Sequence, residues 1–126
     1  MPKAVVNISD TERIELKSIS EGFVVLRRLT YGEYLNRRAM GARMTVQAGK
    51  GKDFEGELAL VNEAVTRYEF ANCIVEHNLE KDDNGTLFDF KKPADLSMLD
   101  PRVGEEISIN IDRMNQFEED GESGNF

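Results

Sequence analysis

Residues 54–79 read FEGELALVNEAVTRYEFANCIVEHNL, and the spacing of their apolar positions decides how the rest of the chain is arranged. Phe54, Leu58, Val61, Val65, Tyr68, Val75 and Leu79 recur at gaps of four and three, interrupted only at Asn72, which is a helical period. As one helix the stretch would extend roughly 39 Å at 1.5 Å per residue. Leu60, Ala64, Ala71 and Ile74 widen the stripe, and between Tyr68 and Val75, Phe70 and Cys73 included, nearly every side is apolar. A helix that is apolar all round is a buried one, so the sequence predicts a central helix wrapped by the remaining segments.

The 126 residues suffice for one domain that buries about two-thirds of the surface its unfolded chain exposes. No apolar run approaches 18 residues, and the start lacks the charged, greasy and small-residue order of a signal peptide, so a soluble cytoplasmic protein is expected. A single cysteine, Cys73, cannot form an internal disulfide. The net charge of −8 is unevenly spread. Residues 1–52 carry ten basic against five acidic side chains, and residues 53–126 carry six against nineteen. The two ends therefore differ in sign, which either neutralises within one fold or lets copies associate head to tail as a homo-oligomer.

Ahead of the central stretch, residues 12–19 alternate Ile14 and Leu16 with Arg13, Glu15 and Lys17, the period of a half-buried strand. Ser20, Glu21 and Gly22 form a turn, Gly22 supplying the permissive dihedral, and residues 23–29 complete a β-hairpin that must lie on a helix to be stable. Thr30 and Glu33 make a reciprocal capping pattern that opens a helix over residues 31–47. Tyr31, Tyr34, Leu35, Ala39, Ala42 and Val46 share a face expected to pack on the central helix, with Arg38 inside that face and obliged to snorkel or pair. Met40 and Met44 fall on the opposite side near Glu33 and Arg37. Flexible thioethers flanked by arginines suit an adaptable protein-binding surface; the alternative is a helix sandwiched between two layers, with both methionines as core.

Residues 48–53, AGKGKD, are a flexible connection without the Gly-Lys-Ser/Thr ending of a phosphate loop. Glu80, Asp82, Asn84 and Gly85 imitate a calcium loop, but its twelfth position is Lys91 where a bidentate glutamate is needed, so a solvated turn is the reading. Pro93 opens a short helix over 93–99. Asp100 and Pro101 cap a last one over 101–117, although Ile107, Ile109 and Ile111 also alternate as a strand would. Residues 118–126 are acidic and glycine-bearing, a composition expected of a disordered tail. The fold class that results is α+β, mostly α, with an N-terminal β-hairpin packed on a small helical domain.

Chemistry is nearly silent. His77 follows Cys73 by four residues, so the two would neighbour each other on a helix, but no second His/Cys cluster exists to complete a metal site and no third group orients a cysteine nucleophile. No catalytic residue, metal or cofactor is therefore assigned. Arg27, Arg28, Arg37, Arg38 and Arg43 raise the question of nucleic-acid binding, which the acidic overall charge and the lack of an aromatic stacking motif argue against.

Three blocks of text carry a likeness: EGFVVLRRLTYGEYLNRRAMGARM (residues 21–44), YEFANCIVEHNLE (68–80) and LFDFKKPADLSMLDPRVGEEI (87–107). Together they resemble the small tail assembly chaperones of long-tailed bacteriophages, encoded between the tail tube protein and the tape measure protein, over residues 12–117. The resemblance implies a non-enzymatic helper, absent from the mature virion, that binds the tape measure protein in the host cytoplasm and keeps it soluble until tail tube protein polymerises around it. Arg37, Arg38, Met40, Arg43 and Met44 are the expected partner-binding residues, with neither nucleic acid nor membrane as a partner. Some members of the family also exist as a longer frameshifted product. The alternative is a structural virion component such as a head-tail connector or tail completion protein.

Overall fold

The computed structural model describes the backbone of residues 2–48 and 54–116, and the side chains of residues 2–40 and 62–116. Strands β1 (Thr11–Glu15) and β2 (Phe23–Arg27) form the expected antiparallel hairpin, with Ile14 opposite Val24. A third strand, β3 (Ile74–His77), joins the other edge of β2 antiparallel, giving the sheet order β1-β2-β3. The helices are α1 (Tyr31–Ala48), α2 (Phe54–Cys73), the single turn α3 (Pro93–Leu96) and α4 (Pro101–Asn115). The chain is an α+β protein, mostly α, in which α2 lies against α1, β2, β3 and α4.

The predicted helix over 54–79 ends six residues early. Its last residues become β3, because the free edge of β2 offers Ile74–His77 a hydrogen-bonded partner and Ile74 and Val75 are β-branched residues that prefer a pleated surface. Val75 is consequently half exposed rather than part of a buried stripe. Leu79 is still buried, but from a loop, where it closes on Gly22. A Cβ at Gly22 would lie 3.2 Å from Leu79 and 2.5 Å from Ile19, so this glycine is required for close approach. The left-handed residue of the turn is instead Glu21, at φ 64°.

The first strand is also shorter than the predicted 12–19. The N–H groups of Lys17 and Ser18 donate to the Glu106 carboxylate on α4 at 2.8 and 2.9 Å, which takes them out of the ladder. The alternation at residues 107–111 resolves as helix: Ile107 and Ile111 are fully buried, whereas Ile109 is exposed. At the start of α4 the Asp100 side chain accepts the N–H of Arg102 and Pro101 occupies the first helical turn, as its sequence predicts. Gln116 ends that helix in a left-handed conformation, and the expected disordered tail over 118–126 lies outside the described residues.

A contiguous core holds these elements together. Val24 and Leu26 project from the inner face of β2, Phe70 and Cys73 from α2, and Ile107 and Ile111 from α4, all with almost no exposed surface. Phe90 meets Phe70 edge to face at 5.9 Å and covers the sheet end of α2.

Candidate partner-binding surface

The start of α1 is held by charge and hydrogen bonding together. Glu33 donates its N–H to Thr30 Oγ1 and accepts the N–H of Thr30 at 2.9 Å, the reciprocal cap the sequence predicts. Arg27 on β2 adds a bidentate pair, donating to both Glu33 oxygens at 2.8 Å. The Arg27 hydrogen bonds, aided by those from Thr30, lower the Glu33 pKa from 4.5 to about 2. One turn on, Arg37 donates to Glu69 of α2, a carboxylate that is almost fully buried. Burial raises the Glu69 pKa, and the Arg37 guanidinium opposes that rise.

These two pairs set the rotation of α1, and it differs from the expected one. Glu33, Tyr34, Arg37 and Met40 are half buried, while Tyr31, Leu35, Arg38 and Ala39 face solvent. The apolar count favours the Tyr31/Leu35 face as the inner one. The buried Glu69 overrides it, because an uncompensated buried carboxylate costs several kcal/mol and Arg37 is the cation that meets it.

The expected partner-binding residues are thereby separated. Arg37 is committed to α2, Met40 is half buried on the same side, and Arg38 is exposed on the other. Arg43 and Met44 lie farther along α1, with side chains outside the described residues.

The outward face of α1 opens instead onto a groove of about 570 Å³. Leu29 and Met114 contribute apolar surface, Tyr31 and Tyr34 stack with ring centroids 6.1 Å apart, and Arg28 and Arg38 supply positive charge. Asn115 fixes the geometry: its side-chain oxygen accepts the N–H of Leu29 at 2.9 Å and its amide nitrogen donates to the Ile111 carbonyl. The end of α4 is thus tied to the connection between β2 and α1. Every other described arginine is in an ion pair, whereas Arg28 and Arg38 have no carboxylate partner among the described residues. Sequence reading missed this groove because Met114 and Asn115 lie some eighty residues from Tyr31. The usable signal was the spacing Tyr31, Tyr34, Arg38, which puts two rings and a cation on one helix face.

Cys73 and His77 do not form a unit. Cys73 ends α2 in the core, where burial pushes its thiol up to about 12. His77 sits on β3 rather than on the predicted helix; its Nδ1 accepts the Leu79 N–H at 3.0 Å, which leaves Nε2 to donate to the Phe88 carbonyl at 2.9 Å. Burial lowers its pKa. Among the described residues no group of three or more His, Cys, Asp or Glu is placed to hold a metal ion, and no helix is long and apolar enough to cross a membrane. No family model, curated protein or solved structure matches this chain.

Proposed function

We propose that this chain is a non-enzymatic tail assembly chaperone of a long-tailed bacteriophage, binding the tape measure protein and keeping it soluble until the tail tube forms around it. The reading is supported by the resemblance in residues 21–44, 68–80 and 87–107. The observation that carries it is that the first of these blocks also presents an exposed apolar patch beside a cation with no ion pair among the described residues: Tyr31 is 70% and Leu35 40% exposed beside Arg38. Such a surface suits a helical segment that offers apolar residues to the rings and acidic residues to the guanidiniums. Each contact is small, so release by incoming tube subunits is easy, and several copies along one tape measure chain supply avidity.

Co-expressing the tape measure protein with and without this chain tests the proposal. A larger soluble fraction with the chain present, reduced by Tyr31→Ser with Leu35→Ser, is the expected outcome. Equal solubility in both cultures refutes it. The proposal also requires the protein to be missing from purified particles, so its stoichiometric presence there by mass spectrometry identifies a structural component instead.

A further inference from the structure

We infer that the free edge of β1 is an interface between two copies of this chain, which join their sheets antiparallel about a two-fold axis at Ile14. The N–H of Leu16 donates to the Gly22 carbonyl at 2.9 Å and Ile14 stands opposite Val24, so the even positions of β1 bond inward to β2. The N–H and C=O groups of Arg13 and Glu15 therefore point away from the sheet, and among the described residues they have no hydrogen-bond partner. Lys17 points its N–H the same way, and the Glu106 carboxylate takes it at 2.8 Å, which marks where the open stretch ends. Between Thr11 and Glu15 the strand has neither a proline nor a register shift, two of the devices that spoil an edge. The opposite edge differs: β3 pairs irregularly at Val25/Leu26, and its His77 ring is bound to the Phe88 carbonyl of the following loop.

Charge chooses both the occupant and the register. Arg13 and Glu15 lie on the exposed face of the strand, paired with each other at 2.9 Å, and Arg13 also covers the Phe23 ring. Pairing two such strands about Arg13 or about Glu15 would set like charges directly opposite, which destabilises a sheet. Pairing them about Ile14 sets Arg13 against Glu15 of the second copy, and Glu15 against Arg13 of the second copy, at positions that exchange both backbone hydrogen bonds. Ile14 then faces Ile14 of the second copy. Helix α4 adds apolar surface: Glu106 and Arg113 reach β1 at Lys17 and Glu12, and Ile109, between them on the same helix flank, is 63% exposed. The symmetric joint consumes the β1 edge of both copies and so stops at two. One strand pair is smaller than the roughly 1,000 Å² of a stable interface, so the dimer forms in concentrated solution. This inference is independent of the chaperone reading, and its test uses no other protein.

Sedimentation velocity on the full chain over a rising concentration series reads the association, in about 0.15 M salt, where a screening length of about 8 Å damps the repulsion between copies of net charge −8. The parent should shift from monomer towards dimer, and the amides of Arg13 and Glu15 should exchange with solvent more slowly as it does. Arg13→Glu alone and Glu15→Arg alone each set like charges across the joint and should weaken self-association at least about tenfold. Both side chains are more than half exposed, at 56% and 72%, so neither change disturbs the core. Mixed one to one, the two variants carry opposite signs on the paired strands and should form a heterodimer at concentrations where neither dimerises alone. A parent that stays monomeric throughout the series overturns the inference. So does either variant self-associating as well as the parent, which places the contact elsewhere, and so does a mixture that fails to pair.

Discussion

Replacing Glu33 by glutamine keeps the side-chain oxygen that accepts the Thr30 N–H but removes the charge that Arg27 pairs with, so it isolates the ionic part of the helix start. Lowering the carboxylate pKa from 4.5 to about 2 corresponds to about 3 kcal/mol of preference for the charged form in the folded state. The carboxylate is 24% exposed and the guanidinium 13%, so solvent screens part of the attraction and about 2 kcal/mol is the expected loss at neutral pH. That corresponds to a drop in Tm of roughly 6–10 °C for a domain of this size. The folded-state pKa lies below the unfolded one, so the pair's contribution is complete above pH 4.5 and disappears as pH falls towards about 2. Urea titrations of both proteins across that window should therefore converge as the medium is acidified. A variant within about 0.5 kcal/mol of the parent at pH 7, the range of an ordinary surface substitution, would refute the reasoning. So would a gap that persists unchanged to the acid end.

His77 should make the fold acid-sensitive in a different range: its folded pKa lies below the usual 6.5, so stability is complete above that value and falls as the solution is acidified below it, and His77→Gln should flatten this part of the urea-midpoint profile. Glu106→Ala removes the acceptor of two backbone N–H groups and the Ser18 hydroxyl, and should cost about 1–3 kcal/mol by chemical denaturation. Ile107→Ala should cost about 2–5 kcal/mol because the side chain is fully buried, whereas Ile109→Ala should stay within about 0.5 kcal/mol; equal losses at both would contradict the helical register.

The sequence was most legible where the deciding interactions are local. The Thr30/Glu33 cap and the Asp100-Pro101 start of α4 depend on residues a few positions apart, and the hairpin of β1 and β2 pairs neighbouring segments across one short turn. It was least legible where a distant segment arbitrates. Ile74 continues a helical pattern in the text, and only the presence of β2 alongside turns it into strand. The rotation of α1 depends on Glu69, more than thirty residues from Arg37, and apolar periodicity cannot register a buried carboxylate in search of a cation. The groove was hidden for the same reason, being assembled from the start of one helix and the end of another.

The passage from α2 to β3 has a mechanical consequence. Cys73 is the last helical residue and Ile74 the first of the strand, so no spacer separates rod from sheet at that joint. Tilting the rod there pulls directly on the ladder that Ile74–His77 share with β2, and the movement is resisted by hydrogen bonds rather than absorbed by a loose link. The joint is a weld, and its only thiol is sealed inside it: anything that must reach Cys73 has first to pry the sheet away from the helix.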